Sequence, residues 1–313
     1  MAPVDPLWPT AASWLAQPPR RNGQWVKPDF IVLGIPSSAR SISPTAAHTT
    51  PQAVRSALRR YSTWAGHRGP AGVDISTLVA ADYGNISNPD GPDGFERSTA
   101  IMRSVRQRDA FTVLIGGDNS VTYPGMLGML GPDLAGTGLI TFDAHHDLRD
   151  GWSNGSPVRQ LLEAGLPGRN IVQVGIAGFA NSKAYHDRAR EAGIHVITRE
   201  QCHRRPAEDV IAEALSALGP RPTYVDVDVD VCDRSVVPGC PASSPGGLGA
   251  DYLRDLVFHA ASAPQVRAMD ITEVDAAADA PDGRTVRLAA LCLLEAAAAV
   301  ALRTSSTPER TQS

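Results

Sequence analysis

Four short clusters concentrate the residues able to hold a divalent cation: Gly116-Gly117-Asp118-Asn119-Ser120, Asp143-Ala144-His145-His146-Asp147, Asp226-Val227-Asp228-Val229-Asp230-Val231-Cys232-Asp233 and Asp270-Ile271-Thr272-Glu273. Alternate residues of an extended chain share a face, so Asp226, Asp228 and Asp230 project together, as do Asp143, His145 and Asp147. Like charges held that close repel and lose hydration, and ionised carboxylates are rarely buried unless paired. A divalent cation resolves the conflict. The bland alternative, an exposed acidic edge strand, is opposed by the interleaved Val225, Val227, Val229 and Val231. A lone histidine more often packs in a core, but two acids flank His145. Mixed carboxylate and imidazole donors suit Mn²⁺, Fe²⁺ or Zn²⁺, and carboxylate-rich sets lean towards Mn²⁺. His146 points the other way along an extended segment and reads as a packing or supporting residue.

The clusters must be carried on something. Apolar runs at Asp29–Gly34, Thr112–Ile115, Leu139–Phe142, Ile171–Ile176, His195–Ile197, Thr223–Val229 and Arg267–Ile271 read as strands buried on both faces. Helical spacing is predicted near Pro51–Tyr61, Arg97–Gln107, Val121–Leu130, Val158–Ala164, Ser182–Ala192, Ala207–Leu218, Ala250–Ala261 and Arg284–Leu302, with Thr50 as a cap before Pro51. This alternation predicts one doubly wound α/β domain. Ligands in such sheets bind beyond the carboxyl ends of the strands, where the clusters fall.

Taken in order, G-G-D-N-S, D-A-H-H-D, D-x-D-x-D-x-x-D and D-I-T-E-V resemble the ureohydrolase family of arginase, agmatinase and formimidoylglutamase, from about Val32 to Asp275. Pro238-Gly239-Cys240-Pro241 and Ser244-Pro245-Gly246-Gly247-Leu248 match the loop after that family's acidic strand. The resemblance implies a three-layer α/β/α arginase-like fold with a mainly parallel sheet of about eight strands. It also implies Mn²⁺, with Asp143, His145, Asp147, Asp228 and Asp230 as ligands. Asp233 sets this register; Asp226 falls where the family often has serine, and a two-residue slip making Asp226 and Asp228 the ligands stays open. Asn119 stands where the family usually has a histidine ligand. An amide oxygen is a weaker donor than imidazole, so one of the two metal positions is expected to be weak or lost, leaving one or two ions per chain. A metal-activated hydroxide would attack the amidine carbon, Asp147 would move the proton to the leaving nitrogen, and Glu273 would pair with the cationic amidinium. An ordinary surface acid is the alternative for Glu273.

The segment Asp147-Leu148-Arg149, then Ser153-Asn154-Gly155-Ser156-Pro157-Val158-Arg159-Gln160, resembles formimidoylglutamases, and no histidine lies between Asp147 and His186 to supply the one arginases use. N-formimidoyl-L-glutamate carries two carboxylates, which Arg149 and Arg159 would fork, with Ser153, Asn154 and Ser156 as further donors. Pairing of either arginine with Asp150 or Glu163 is the alternative. The products would be L-glutamate and formamide, a step of histidine degradation. A guanidino-acid ureohydrolase releasing urea is the rival enzyme, and a non-catalytic metal-binding protein, disabled by Asn119, is the rival of another class.

Composition bounds the rest. The 313 residues are 42% hydrophobic and 20% charged with a formal net charge of −4, so no basic field draws nucleic acid. No run reaches the roughly 18 apolar residues of a membrane span, and the alanine-rich Leu288–Leu302, with Glu295 inside it, reads as a buried helix. Cys202, Cys232, Cys240 and Cys292 lack C-x-x-C spacing, and the first residues lack a secretory pattern, so a reducing cytoplasm is expected. The partner expected is a small amidine or guanidine bearing carboxylates, with no nucleic acid and no membrane; the resemblance is compatible with a homo-oligomer. Residues 1–26 read as an N-terminal arm, 27–303 as one catalytic domain and 304–313 as a disordered tail.

Overall fold

Strands form where the apolar runs lie, because both faces of each run are covered. A computed structural model describes residues 5–305. In chain order the sheet strands are β1 (Phe30–Gly34), β2 (Ala80–Asn85), β3 (Phe111–Ile115), β4 (Gly138–Phe142), β5 (Ile171–Ile176), β6 (His195–Thr198), β7 (Thr223–Asp228) and β8 (Val266–Thr272). They build one eight-stranded sheet in the order β6-β5-β4-β7-β8-β3-β1-β2. Every pairing in it is parallel, where a mainly parallel sheet was expected.

The strand that apolar patterning does not reveal is β2. Its sequence, AADYGN, carries Asp, Gly and Asn, which strands disfavour, and only its first two residues are buried. Tertiary pairing makes it a strand: Phe30 and Ile31 align with Ala80 and Ala81. Arg55 forks Asp82 at 2.7 and 2.8 Å and steadies the edge.

The main helices are α1 (Thr50–Ala57), α2 (Gly94–Arg106), α3 (Thr122–Leu130), α4 (Pro157–Glu163), α5 (Lys183–Ala192), α6 (Ala207–Leu218), α7 (Ala250–Ser262) and α8 (Arg284–Ser305). Side chains of α1, α6, α7 and α8 join one core with Val32, Ile140, Val225 and Ile271; those of α2 to α5 join a second core with Leu33, Leu114, Leu139 and Tyr224. Alternation along each strand thus feeds two cores, the three-layer α/β/α arrangement expected. Each fully buried Val, Leu or Ile contributes roughly 1.5–3 kcal/mol.

Helix α8 is apolar and long enough to cross a bilayer, but 78% of its most apolar stretch is buried in the protein. Glu295 fits there because Arg68 and Arg254 pair with it at 2.7 and 2.5 Å. The predicted cap at Thr50 is corrected: α1 begins with Thr50 itself, and its hydroxyl donates to the Val274 carbonyl.

In the N-terminal arm, Thr10 caps a short helix, Ala11–Leu15, whose Trp14 is buried and donates from Nε1 to the Leu78 carbonyl at 3.1 Å. Of the tail expected from Thr304, Thr304 and Ser305 continue α8, and residues 306–313 lie outside the described residues.

Candidate metal centre and substrate cavity

The strands that deliver the four clusters, β4, β7, β8 and β3, are neighbours in the sheet, so their carboxyl ends meet. After β7 the chain tightens into a turn, Val229–Val231, in which Asp228 Oδ1 accepts the Asp230 N–H at 2.8 Å. The turn carries Asp230 towards β4. Its Oδ1 accepts the Ala144 N–H at 3.1 Å and its Oδ2 lies 2.8 Å from His145 Nδ1. Asp143 Oδ1 accepts the His145 N–H at 2.6 Å. Donor atoms of Asp143, His145 and Asp230 all lie within 4.8 Å of one another. Asp147 and Asp228 line the same cavity, of about 370 Å³. Asp147 sits at φ +53° and Glu273 at φ +63°, left-handed conformations that cost a non-glycine residue about 1–3 kcal/mol and recur at functional sites.

Asp143, Asp147, Asp228 and Asp230 are all buried, with the His145 imidazole set against Asp143 and Asp230. Burial, then the Asp147 and Asp230 charges, pushes Asp143 well above the ordinary carboxylate range; burial, then Asp230 and Asp143, does the same to Asp228. Burial raises Asp147 to about 7. Burial pushes Asp230 up, but the His145 charge and hydrogen bond, with the Ala144 N–H, together hold it low. The Asp230 charge in turn raises His145 to about 12. Asp143 Oδ2 is buried with no hydrogen-bond partner among the described residues. An acid surplus around an orphaned carboxylate oxygen is the donor set a divalent cation satisfies, and these residues fit one.

Asp226 does not reach this cavity. It aligns with Asp270 across β7 and β8, and burial, then the Asp270 charge, raises it well above the ordinary carboxylate range. Asp270 also accepts from Tyr224 Oη at 2.9 Å and Thr122 Oγ1 at 3.0 Å. Of the acidic strand, Asp228 and Asp230 line the cavity and Asp226 does not. Asp233, held near 2 by hydrogen bonds from Ser235 and Gly246, clamps the following loop.

Asn119 is buried and oriented. Its Oδ1 accepts from Thr272 Oγ1 at 2.8 Å and lies 3.0 Å from Thr122 Oγ1, so Nδ2 faces the acids and donates to Asp147 Oδ2 at 2.7 Å. The side chain at the position expected to be a weak ligand thus serves Asp147 as a hydrogen-bond donor. Gly117 before it allows close approach: a Cβ there would lie 1.7 Å from the Ser37 carbonyl oxygen.

The sequence model of the arginase family matches residues 28–299. The chain belongs to the arginase family. A formimidoylglutamase of Halalkalibacterium halodurans is 34% identical over 80% of this chain and 81% of its own. The crystal structure of formimidoylglutamase from Bacillus subtilis superposes with a TM-score of 0.86 at 30% identity, covering 96% of this chain and 95% of that one. A Trypanosoma cruzi formiminoglutamase structure with Mn²⁺ superposes with a TM-score of 0.83 at 25% identity, covering 95% and 99%. Metal dependence is typical of the family, and the cluster around Asp143 is where this arginase-family chain has the donors for it.

On the substrate side of this arginase-family site, Arg149, Asn154 and Glu273 line the cavity. The Arg149 guanidinium is exposed and has no hydrogen bond or ion pair among the described residues. Ser153 lines a neighbouring cavity of about 340 Å³ instead. Ser156 and Arg159 line neither, which corrects their expected place at the substrate. Ser156 Oγ donates to the Ser153 carbonyl at 2.8 Å, closing a turn. Arg159 spends its guanidinium on the Arg149 and Gly151 carbonyls and on Glu163, the alternative weighed for it. Asp150 pairs with Arg188. His146 packs inward, its Nδ1 2.7 Å from Gln173 Oε1, as a supporting residue.

Sequence reasoning missed Ile42, Ser43, Asn181 and Tyr185, which also line the cavity. Asn181 pins the D-A-H-H-D loop, accepting the His146 N–H at 2.9 Å and donating to the Ala144 carbonyl at 2.9 Å. The strand-end rule, applied to the loops after β1 and β5, would have found them.

Proposed function

We propose that this chain hydrolyses N-formimidoyl-L-glutamate with water to L-glutamate and formamide. The observation that carries the reading is the polarity of one cavity: Asp147, Asp228, Asp230 and Glu273 line it, and so does the exposed Arg149, whose guanidinium has no partner among the described residues. A cationic amidinium belongs against Glu273, and the glutamate carboxylates belong against Arg149. Asp143, His145, Asp228 and Asp230, with Asp147, would hold Mn²⁺, one ion or two. When bound, the metal lowers the pKa of water enough to supply a nucleophile at neutral pH. The Asp147 carboxylate, in the cavity beside these donors, is placed to take up a proton and pass it to the leaving nitrogen. The Asn119 amide holds its Oδ2 at 2.7 Å. Glu273 orients the substrate carbon towards the acids. The four cysteines are free and buried, which fits a reducing cytoplasm.

The test is a product assay on Mn²⁺-loaded protein. Formamide from formimidoylglutamate, and no urea from 4-guanidinobutyrate or arginine, is the expected result. Urea from a guanidino acid alone would transfer the reading to a ureohydrolase, and no turnover of any amidine or guanidine would leave a metal-binding protein.

Arg149→Ala is expected to raise KM for formimidoylglutamate about 10- to 100-fold, the size of a charged hydrogen bond of 1.5–3 kcal/mol. Formamidine, which has no carboxylate, should react at an unchanged rate; a matching loss there would remove Arg149 from carboxylate recognition. Asn119→His replaces a donor facing Asp147 with an imidazole able to ligate. It is expected to retain a second equivalent of Mn²⁺ through dialysis where the native protein retains one, as read by metal analysis. Two tightly held ions in the native protein would refute the weak second position.

A further inference from the structure

We propose that Asn154 is a positioning residue for Glu273: it holds the carboxylate at a fixed angle and leaves substrate recognition to Glu273 and Arg149. The inference rests on the reading of Glu273 as the anchor of the cationic group.

Glu273 is held from several directions. Its N–H donates to the Gly117 carbonyl at 2.8 Å, and its backbone is in the left-handed region. Oε1 accepts two hydrogen bonds, from the Asn119 N–H at 2.7 Å and from Asn154 Nδ2 at 2.9 Å. Among the described residues none donates to Oε2. One oxygen is therefore fastened and the other left for a ligand in the cavity that Glu273 lines.

Asn154 is equally committed. Its Oδ1 accepts the Ile42 N–H at 3.0 Å, and its own N–H donates to the Arg40 carbonyl at 2.9 Å. A backbone N–H on one side demands an acceptor and a carboxylate on the other demands a donor, so only one orientation of the amide satisfies both. Aspartate at this position would set a second carboxylate against Glu273, and serine is too short to bridge. Asn154 thereby ties the Arg40–Ile42 segment at the cavity wall to the carboxylate. Its Oδ1 and one of its two Nδ2–H groups are engaged in this tie, and the orientation of the amide is thereby fixed by protein partners.

The experiment is a double-mutant cycle of Asn154→Ala and Glu273→Gln on the full-length Mn²⁺-loaded enzyme, with metal content and thermal melting as fold controls. Asn154→Ala is expected to lower kcat/KM about 10- to 100-fold, the scale of a misplaced orienting group. In the Glu273→Gln background the same change should cost less than about twofold, because residues acting as a unit are not additive. Inhibition by N-formyl-L-glutamate, a neutral isostere with the same carboxylates, should be unchanged by Asn154→Ala. Asn154→Gln, which keeps donor and acceptor, should recover part of the loss. Additive losses, or weaker N-formyl-L-glutamate inhibition in Asn154→Ala, would overturn the proposal and make Asn154 a substrate contact. Should Asn154→Ala not fold, Asn154→Asp enters the cycle in its place. If the native enzyme gives no formamide, the substrate reading fails on its own. The cycle is then read from calorimetric binding of guanidinium ion, a cation that presents the same group to Glu273, with the same two outcomes deciding.

Discussion

Asp143→Asn is expected to abolish turnover, with kcat lowered roughly a thousandfold or more, because the substitution removes a buried anionic donor from the centre that supplies the nucleophile. The amide would still accept the His145 N–H through its oxygen, but it replaces the unpartnered Oδ2 with an NH₂ that faces carboxylates. Metal content should fall with activity. The metal-free protein should respond in the opposite sense. Asp143 is raised by burial and by its acidic neighbours, and Asp147 by burial to about 7, so the native apoprotein binds protons that the unfolded chain releases. The contribution of these two carboxyls to its stability is therefore full at pH values below the ordinary carboxylate range and is lost as pH rises through about 7 and above. Removing one carboxylate relieves that repulsion, raising the apoprotein Tm by about 2–4 °C for each kcal/mol recovered. Mn²⁺ binds to the deprotonated donors, so the gap in Tm between loaded and metal-free native protein should widen from pH 5.5 to 8 and collapse in the variant. A variant that keeps its metal and its rate, or an apoprotein Tm that rises with pH, would refute a cation-demanding cluster.

The cluster was legible because its chemistry is local: alternating acids at the end of an apolar strand have few structural uses. The same holds for the strands beneath it, whose continuous valine, isoleucine and leucine runs predict burial on both faces. Failures came where tertiary context decides. Strand β2 carries no apolar pattern and exists because β1 presents an edge to Ala80 and Ala81. The amide direction of Asn119 depends on the hydroxyl of Thr272, far away in sequence, so a weak ligand and a hydrogen-bond donor look alike in one dimension. Arg159 illustrates the reverse error. Its position beside Arg149 suggests a pair of carboxylate forks, yet the helix it sits on turns it towards Glu163 and two loop carbonyls. Spacing predicts which elements residues share; it does not say whether a side chain's bonding capacity is already used.

Glu273→Gln should separate substrate anchoring from metal binding. The glutamine oxygen can still accept from Asn119 and Asn154, so the side chain keeps its place, but its NH₂ now faces the cationic group. Losing one partner of a buried, charge-assisted pair costs about 2–5 kcal/mol, so kcat/KM should fall roughly 30- to 5000-fold. Metal content should stay at the native value, in contrast to Asp143→Asn. The pH profile carries the more specific signature. Burial raises Glu273 to about 7, and bound cations pull it downward, so the native acid limb of kcat/KM should lie at or below that pH, with activity lost as the carboxylate protonates. In the variant no charge remains to titrate there, and that limb should flatten. An unchanged acid limb with a large loss of rate would assign the titration to another group, and a variant as active as the native enzyme would return Glu273 to an ordinary buried acid.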